Sequence, residues 1–355
     1  MSLHFTPIAE LPIGVKNGVG GLVGRRLYVG LGSAGKRLFF YDLNQPELDW
    51  QEAAQFPGVA RNDAVSIATQ DRLYVFSGAG IVKGDGHLSV LTDGYYFDAP
   101  SNHWHQVGTS LPIGLLGASG FELSPGKLVF LGGYCKETFD TLFAQLSEID
   151  NVKEPDRQQS ILTEFMSRPP KAYGWNSGIW QLNVETGRWT LLSINPFAAN
   201  CGAGLVKQGN TITLVEGEVK PGLRSLETKQ FVFQTESQVE SSALPAIVDE
   251  YPDHEGLAGG FITRNQGQLF AAGGAYFIGS QNNAKKGQWY SHKGLTKHYN
   301  DNVWRFDGKR WHHAGRLPTG LAYGVAISNG QSIYLLGGED STGNAQQACY
   351  LMDWQ

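Results

Sequence analysis

Apolar positions along this chain fall in short runs broken by glycine, not in the 3.6-residue stripes of long helices. Six times a glycine-rich, weakly apolar segment is followed by a turn and then by a strongly apolar segment that ends in glycine. The first three of these second segments end Leu27-Tyr28-Val29-Gly30-Leu31-Gly32, Leu73-Tyr74-Val75-Phe76-Ser77-Gly78 and Leu128-Val129-Phe130-Leu131-Gly132-Gly133. The later three end Ile212-Thr213-Leu214-Val215-Glu216-Gly217, Leu269-Phe270-Ala271-Ala272-Gly273-Gly274 and Ile333-Tyr334-Leu335-Leu336-Gly337-Gly338. Between the final glycines the spacings are 46, 55, 84, 57 and 64 residues. A third segment with an aromatic and a nearby tryptophan follows in four units, at Trp50, Trp104, Trp189 (after Trp180) and Trp311 (after Trp304). The fourth unit keeps the segment as Phe231-Val232-Phe233 and lacks the tryptophan.

Four short strands per repeat at a period of ~50 residues predict an all-β fold, a six-bladed kelch-type β-propeller spanning 1–355 as a single domain. Tryptophan on an outer strand fills the wedge between blades, where the most apolar area is buried. The last strand, Ala348 to Trp354, has nothing after it to pair with. It is expected to share a blade with the N-terminal segment Phe5 to Leu11, closing the ring and removing two open edges. Two units are overlong. In the third, residues 135–174 form a helical insertion: Phe139, Leu142, Phe143, Leu146 and Ile149 lie on one helical face, and a second helix covers Arg157 to Met166 before Pro169-Pro170. The other insertion, 275–299, is rich in Gly, Asn, Lys and aromatics and reads as loop. Both follow a second strand, so both leave the same face and can act as lids.

Because the innermost strand of each blade runs down the axis and the second runs back, strand-one starts and strand-two ends meet on one face. Starts supply Lys16-Asn17, Arg61-Asn62-Asp63, Asn200-Cys201 and Tyr323; ends supply Ser33, Glu218, Arg224, Tyr276 and Glu339. The densest chemistry is Val215-Glu216-Gly217-Glu218-Val219-Lys220-Pro221-Gly222-Leu223-Arg224, a carboxylate and two cations on a rigid turn in a chain only 17% charged. A planar guanidinium suits a carboxylate ligand. A glutamate near a hydroxyl serves as general acid or base once its pKa is tuned, Glu216 acting to raise that of Glu218 and Arg224 and Lys220 to lower it. Lys16, Arg61, Lys220, Tyr276 and Tyr323 complete the candidate substrate-binding set.

Composition narrows the partners. A formal net charge of -5 with no basic block argues against nucleic acid. No run reaches the ~18 apolar residues of a membrane span. Cys135, Cys201 and Cys349 are too scattered for a disulfide framework or a CxxC metal site, and no histidine spacing suggests a metal. The first residues lack a basic segment followed by an apolar run, which implies a cytoplasmic chain, or a periplasmic one if a leader has been removed.

At this level the chain resembles the N-acetylneuraminate epimerase family, the sialic acid mutarotases. Gly217-Glu218-Val219-Lys220-Pro221-Gly222-Leu223-Arg224 matches that family's Gly-Glu-Ala-Lys-Pro-Gly-Leu-Arg. Supporting stretches are Gly30 to Gly35, Phe56-Pro57-Gly58 with Arg61, Ala272-Gly273-Gly274 with Phe277 and Gly279-Ser280, and Ala322-Tyr323-Gly324-Val325. The resemblance implies conversion of α-sialic acid to the β anomer by ring opening, with Glu218 shuttling a proton, Arg224 holding the C1 carboxylate and no cofactor or metal needed. Three positions depart from the family pattern: Glu216 stands for Asn, Ala118 for His and Leu321 for Arg, each near the expected site, so a related 2-keto sugar acid is an alternative substrate. The competing reading is a non-catalytic kelch module binding a protein or glycan. A sialidase would carry Ser-x-Asp-x-Gly-x-Thr-Trp boxes, and a galactose-oxidase-like enzyme a His, Tyr and Cys copper cluster; the sequence has neither.

Overall fold

The six apolar-run units become six four-stranded antiparallel sheets in the computed structural model, which describes residues 2–235 and 238–354. Their innermost strands are Val19–Val23, Val65–Ala68, Ser119–Ser124, Gly204–Gln208, Phe261–Asn265 and Val325–Ser328. Each packs against the strands on either side of it, and the sixth packs against the first, so the sheets form a closed ring about one axis. The ring is sealed as the sequence predicts. Leu3–Ile8 is the outermost strand of the sixth sheet, pairing antiparallel with Cys349–Trp354 from Leu3 opposite Trp354 to Ile8 opposite Cys349. Two edges that would otherwise stay open are thereby paired.

The wedge between sheets is filled by apolar side chains contributed by both neighbours, for example Tyr28, Leu73, Val75 and Phe97. The outer-strand tryptophans also bond the connection leading into their own blade. Trp50 Nε1 donates to Ala9 O and Trp104 Nε1 to Ala54 O, both at 2.8 Å, and Trp311 Nε1 donates to Pro245 O at 2.9 Å. Trp189 Nε1 reaches Thr109 Oγ1 at 3.0 Å. In the fourth blade, which lacks this tryptophan, the buried Lys229 takes over: its Nζ donates to Ala198 O at 3.0 Å and lies over the Phe197 ring at 5.6 Å. A long amphipathic side chain can cover the apolar wedge and still satisfy a buried carbonyl.

The third-blade insertion holds two helices, α1 (Lys136–Ser147) and α2 (Pro155–Met166), as expected. They bury Leu142 and Phe165 against Tyr173, Trp175 and Cys201, which roots the insertion on the axial face. The 275–299 insertion is not simply a loop: Ala275–Phe277 pairs with Lys297–Tyr299, and a short helix, Ser280–Lys285, lies between them. Its helix start is fixed by Glu255, whose carboxylate accepts from the Gly279 and Gln281 N–H groups and from Ser280 Oγ. A third lid element, the ribbon Ala79–Ile81 with Leu88–Val90, is not foreseen by the sequence reading and packs against α1.

Candidate active site

At the mouth of the axial channel, one residue from each blade sits just before the innermost strand: Asn17, Asp63, Gly117, Gly202, Gly259 and Tyr323. All six have positive φ, between 52° and 68°. Their backbones are joined head to tail. Asn17 N–H donates to Tyr323 O (2.9 Å), Asp63 to Asn17 (2.8 Å), Gly117 to Asp63 (2.9 Å), Gly202 to Gly117 (2.8 Å), Gly259 to Gly202 (3.1 Å) and Tyr323 to Gly259 (2.7 Å). This closed ring of six hydrogen bonds has a chemical consequence. The N–H groups of these six residues are all used within the ring, so none of them is left to stabilise an oxyanion. Blades six, one and two place Tyr323, Asn17 and Asp63 there, whereas blades three to five place glycine. At Gly259 a Cβ would lie 2.3 Å from the Tyr323 ring, so the tyrosine can lie flat only over glycine.

Above this floor is a funnel of about 650 Å³. The notable walls are Lys16 and Ser33 of blade one, Tyr134 and α1 residues Phe139 and Phe143 of blade three, and Glu218 of blade four. The Glu218 loop arises because the second strand of blade four stops at Val215 and the chain turns through two positive-φ residues, Glu216 (52°) and Gly217 (84°). That turn separates the two glutamates instead of leaving them on one face. Glu216 is buried and its Oε1 meets His254 Nε2 at 2.7 Å, away from the funnel. Glu218 pairs back across a short ribbon with Arg224 and bridges to Cys201 beside the floor.

One oxygen of Glu218 is held and the other is open. Oε1 lies 2.8 Å from Arg224 Nη1 and accepts from the Gly222 N–H at 3.3 Å; no described group hydrogen-bonds to Oε2. Arg224 itself is buried behind this carboxylate. Its Nε donates to Ala275 O at 2.8 Å and its guanidinium lies 5.0 Å from the Phe277 ring centre. The expected guanidinium is therefore one layer back from the cavity wall, its near face occupied by Glu218.

The remaining predicted residues separate into two groups. Lys16 and Tyr323 line the funnel. Lys16 Nζ donates to Glu339 Oε2 and, at 2.6 Å, to Gly343 O. Glu339 also accepts from Lys297 Nζ (2.7 Å) and the Tyr299 hydroxyl, and Lys297 lies over the Tyr323 ring at 4.7 Å. Burial alone would raise the Glu339 pKa, but these three donors hold it below the ordinary carboxylate value. Burial raises the Tyr323 hydroxyl far above its usual range. Arg61, Lys220 and Tyr276 are not on the funnel wall. Arg61 is 1% exposed and has four of its five N–H donors used, by both Asp93 oxygens (2.7 and 3.1 Å), Ser77 O and Val59 O. Lys220 is fully buried and donates to Met166 O (2.8 Å) and Trp289 O (2.5 Å), tying the two insertions together. Burial pushes its pKa down to about 8 against the opposing pull of Glu218. Tyr276 stacks on His298 and borders a separate pocket of about 400 Å³ with His254 and Arg316.

Of the three departures from the family pattern, Ala118 lies on the funnel wall, while Leu321 is buried among Phe261 and Leu317. Cys201 is buried with its thiol pKa raised well above normal by burial, which fits a filler and not a nucleophile. Among the described residues no group of three or more His, Cys, Asp or Glu is placed to hold a metal ion. Sequence reasoning did not single out Tyr134, Phe139, Phe143, Lys297 or Tyr299 as site residues. They come from the insertions and strand extensions, where no repeat periodicity marks which side chain turns inward.

Six sheets in a ring, with acidic and basic side chains gathered around a hydrogen-bonded axial floor, define a kelch-type propeller with a small-molecule site at its mouth. The chain belongs to the N-acetylneuraminate epimerase family, whose model matches residues 8–355. It is 47% identical to a Kelch domain-containing protein of Vibrio cholerae, over 99% of this chain and all of that one. It is 38% identical to an N-acetylneuraminate epimerase of Brucella melitensis, over 97% of this chain and 90% of the relative. A solved structure titled "Structure of YjhT" superposes with a TM-score of 0.91 at 30% identity, covering 98% of this chain and 97% of that one.

Proposed function

We propose that this protein is an N-acetylneuraminate mutarotase that opens and recloses the pyranose ring of the α anomer to give the β anomer, with Glu218 carrying the proton. The observation that carries this reading is the state of that side chain: it lines the funnel, one oxygen is fixed by Arg224 and Gly222, and no described group hydrogen-bonds to the other. In the forward step Glu218 takes the proton of the anomeric hydroxyl at C2 and delivers it to the ring oxygen as the bond from C2 to that oxygen breaks. The products are a C2 ketone and a free hydroxyl on C6. After rotation about the C2–C3 bond, that hydroxyl attacks the other face of the ketone and the protons return. No redox change occurs.

General acid-base help of ~10²–10⁴-fold is enough for such a step, because it also proceeds unaided in water. Arg224, standing behind Glu218, fixes the orientation of the carboxylate. Lys16 is the funnel-wall cation nearest in role to a binder for the substrate's C1 carboxylate, since one of its three ammonium donors stays unused by Glu339 and Gly343. Phe139 and Phe143 of α1 supply apolar wall for the sugar ring. The test is proton NMR of α-sialic acid released in place by a sialidase. The α signal should decay faster in proportion to added protein, and decay at the spontaneous rate would refute the reading.

A further inference from the structure

Opening a hemiketal ring needs two proton movements at neighbouring oxygens: one leaves the anomeric hydroxyl and one arrives on the ring oxygen. A single carboxylate can do both in turn, but a second acid on the other side does them together. The floor carries such a group. Asp63 is the floor residue of blade two, and only Gly117 separates it along the hydrogen-bonded ring from Gly202 of blade four, the neighbour of the Glu218 bridge partner Cys201. Both carboxyl groups line the same funnel. Each also has one oxygen held and one open: Asp63 Oδ1 accepts from Asn17 Nδ2 at 2.7 Å, and no described group hydrogen-bonds to Oδ2.

We propose that Asp63 is the second proton-transfer group of the site, the acid that protonates the ring oxygen while Glu218 takes the proton from the anomeric hydroxyl. The step balances. The Asp63 proton forms the C6 hydroxyl, the C2–O bond electrons stay on that oxygen, and the Glu218 proton comes from the hydroxyl that becomes the ketone. On reclosure Asp63 recovers its proton from the C6 hydroxyl and Glu218 returns one to the C2 oxygen. This inference rests on the mutarotase reading.

The surroundings of Asp63 favour its acid form at mildly acidic pH. Burial pushes its pKa up to about 6, the Asn17 bond opposes this, and the negative charges of Glu218 and Glu339 reinforce it. The groups around the floor are Asn17 and Lys16 from blade one, Tyr134 from blade three, Cys201 and Glu218 from blade four, and Tyr323 and Glu339 from blade six. The cations nearby, Lys16 and Lys297 (the latter over the Tyr323 ring), are both ion-paired to Glu339. A deeply seated carboxyl can thus be open to the funnel and still flanked by protein and like charge.

The test compares wild type with Asp63→Asn and Asn17→Gly by the α-anomer NMR assay from pH 4.5 to 8.5. Asparagine accepts the left-handed backbone that position 63 needs, and glycine already fills three equivalent floor positions. Wild-type kcat/KM should fall as pH rises through about 6. Asp63→Asn should lower kcat ~10²-fold with KM within about twofold and should lack that falling limb. Asn17→Gly, which removes a bond to the ionised form, should move the limb to higher pH. If the floor residue had only a structural role, neither substitution would move that limb. If wild type accelerates mutarotation and Asp63→Asn keeps both its rate and its falling limb, Asp63 is not the acid. If wild type gives no acceleration at all, the mutarotase reading itself fails.

Discussion

Arg61 and Arg224 occupy similar places in the molecule. Each is a buried arginine at the axial end of a blade, each faces a carboxylate, and each lies against an aromatic ring. What differs is how completely each is satisfied. Arg61 and Asp93 make a two-bond clamp at 2.7 and 3.1 Å, with two carbonyls taking further donors. Arg224 Nη1 lies 2.8 Å from Glu218 without the alignment of a hydrogen bond, and Glu218 keeps an open oxygen toward the funnel. A saturated pair locks the fold. A pair left short of its full complement is where a ligand can act, and buried unsatisfied donors in folded proteins call for that kind of explanation.

The largest effect should come from the open member of the contrast. Glu218→Gln keeps the shape and the Gly222 bond but cannot accept a proton, so kcat per folded molecule should drop ~10²–10⁴-fold, with a modest fall in melting temperature because the buried Arg224 loses its counter-charge. Stopped α-anomer NMR and a thermal melt together read this. Arg61→Met should do the reverse: it strands two carbonyls and the Asp93 carboxylate, costing ~2–4 kcal/mol of stability in urea denaturation while turnover per folded molecule stays within about threefold. Asp93 is itself partly exposed and can hydrate, which keeps that loss below the upper end seen for sealed pairs.

Arg224→Met falls between these two. If the guanidinium only orients Glu218, kcat should fall ~10–100-fold with a small change in KM; if it reaches the substrate carboxylate, the loss should appear chiefly in KM. The arrangement in hand predicts the first pattern. The smallest effect concerns His292, which packs on Gly222 of the same loop and on Phe277. Burial, with Lys220 and Arg224 adding to it, pushes its pKa down to about 4 from 6.5. The unfolded chain therefore takes up the proton first, and this term costs stability as pH falls from about 6.5 to about 4 and is flat above. Urea midpoints across that range should slope less for His292→Leu than for wild type.

The ring of blades was legible because its cause is periodic: a strand that ends in glycine near a crowded axis repeats six times, and the unpaired last strand demands the N-terminal partner it receives. Glu218 and Arg224 were legible because charge is dense on one turn of an otherwise weakly charged chain. The satisfaction of each cation was not. Arg61 finds Asp93, 32 residues away, only after blade two folds, and Lys220 finds two carbonyls from two different insertions. Tyr276 shares a strand-two end with the other candidates, yet the ribbon it forms with Lys297–Tyr299 turns it out of the funnel. The floor ring was hidden for another reason. Asn, Asp and Tyr share no side-chain signature with three glycines, and their common property is a backbone angle that appears only in three dimensions.

The most direct measurement is equilibrium exchange between the α and β signals of sialic acid by saturation-transfer NMR, wild type beside Glu218→Gln at matched concentration of folded protein. The account predicts exchange that rises linearly with wild-type protein and stays at the buffer rate with the variant. Equal exchange from both proteins would contradict it.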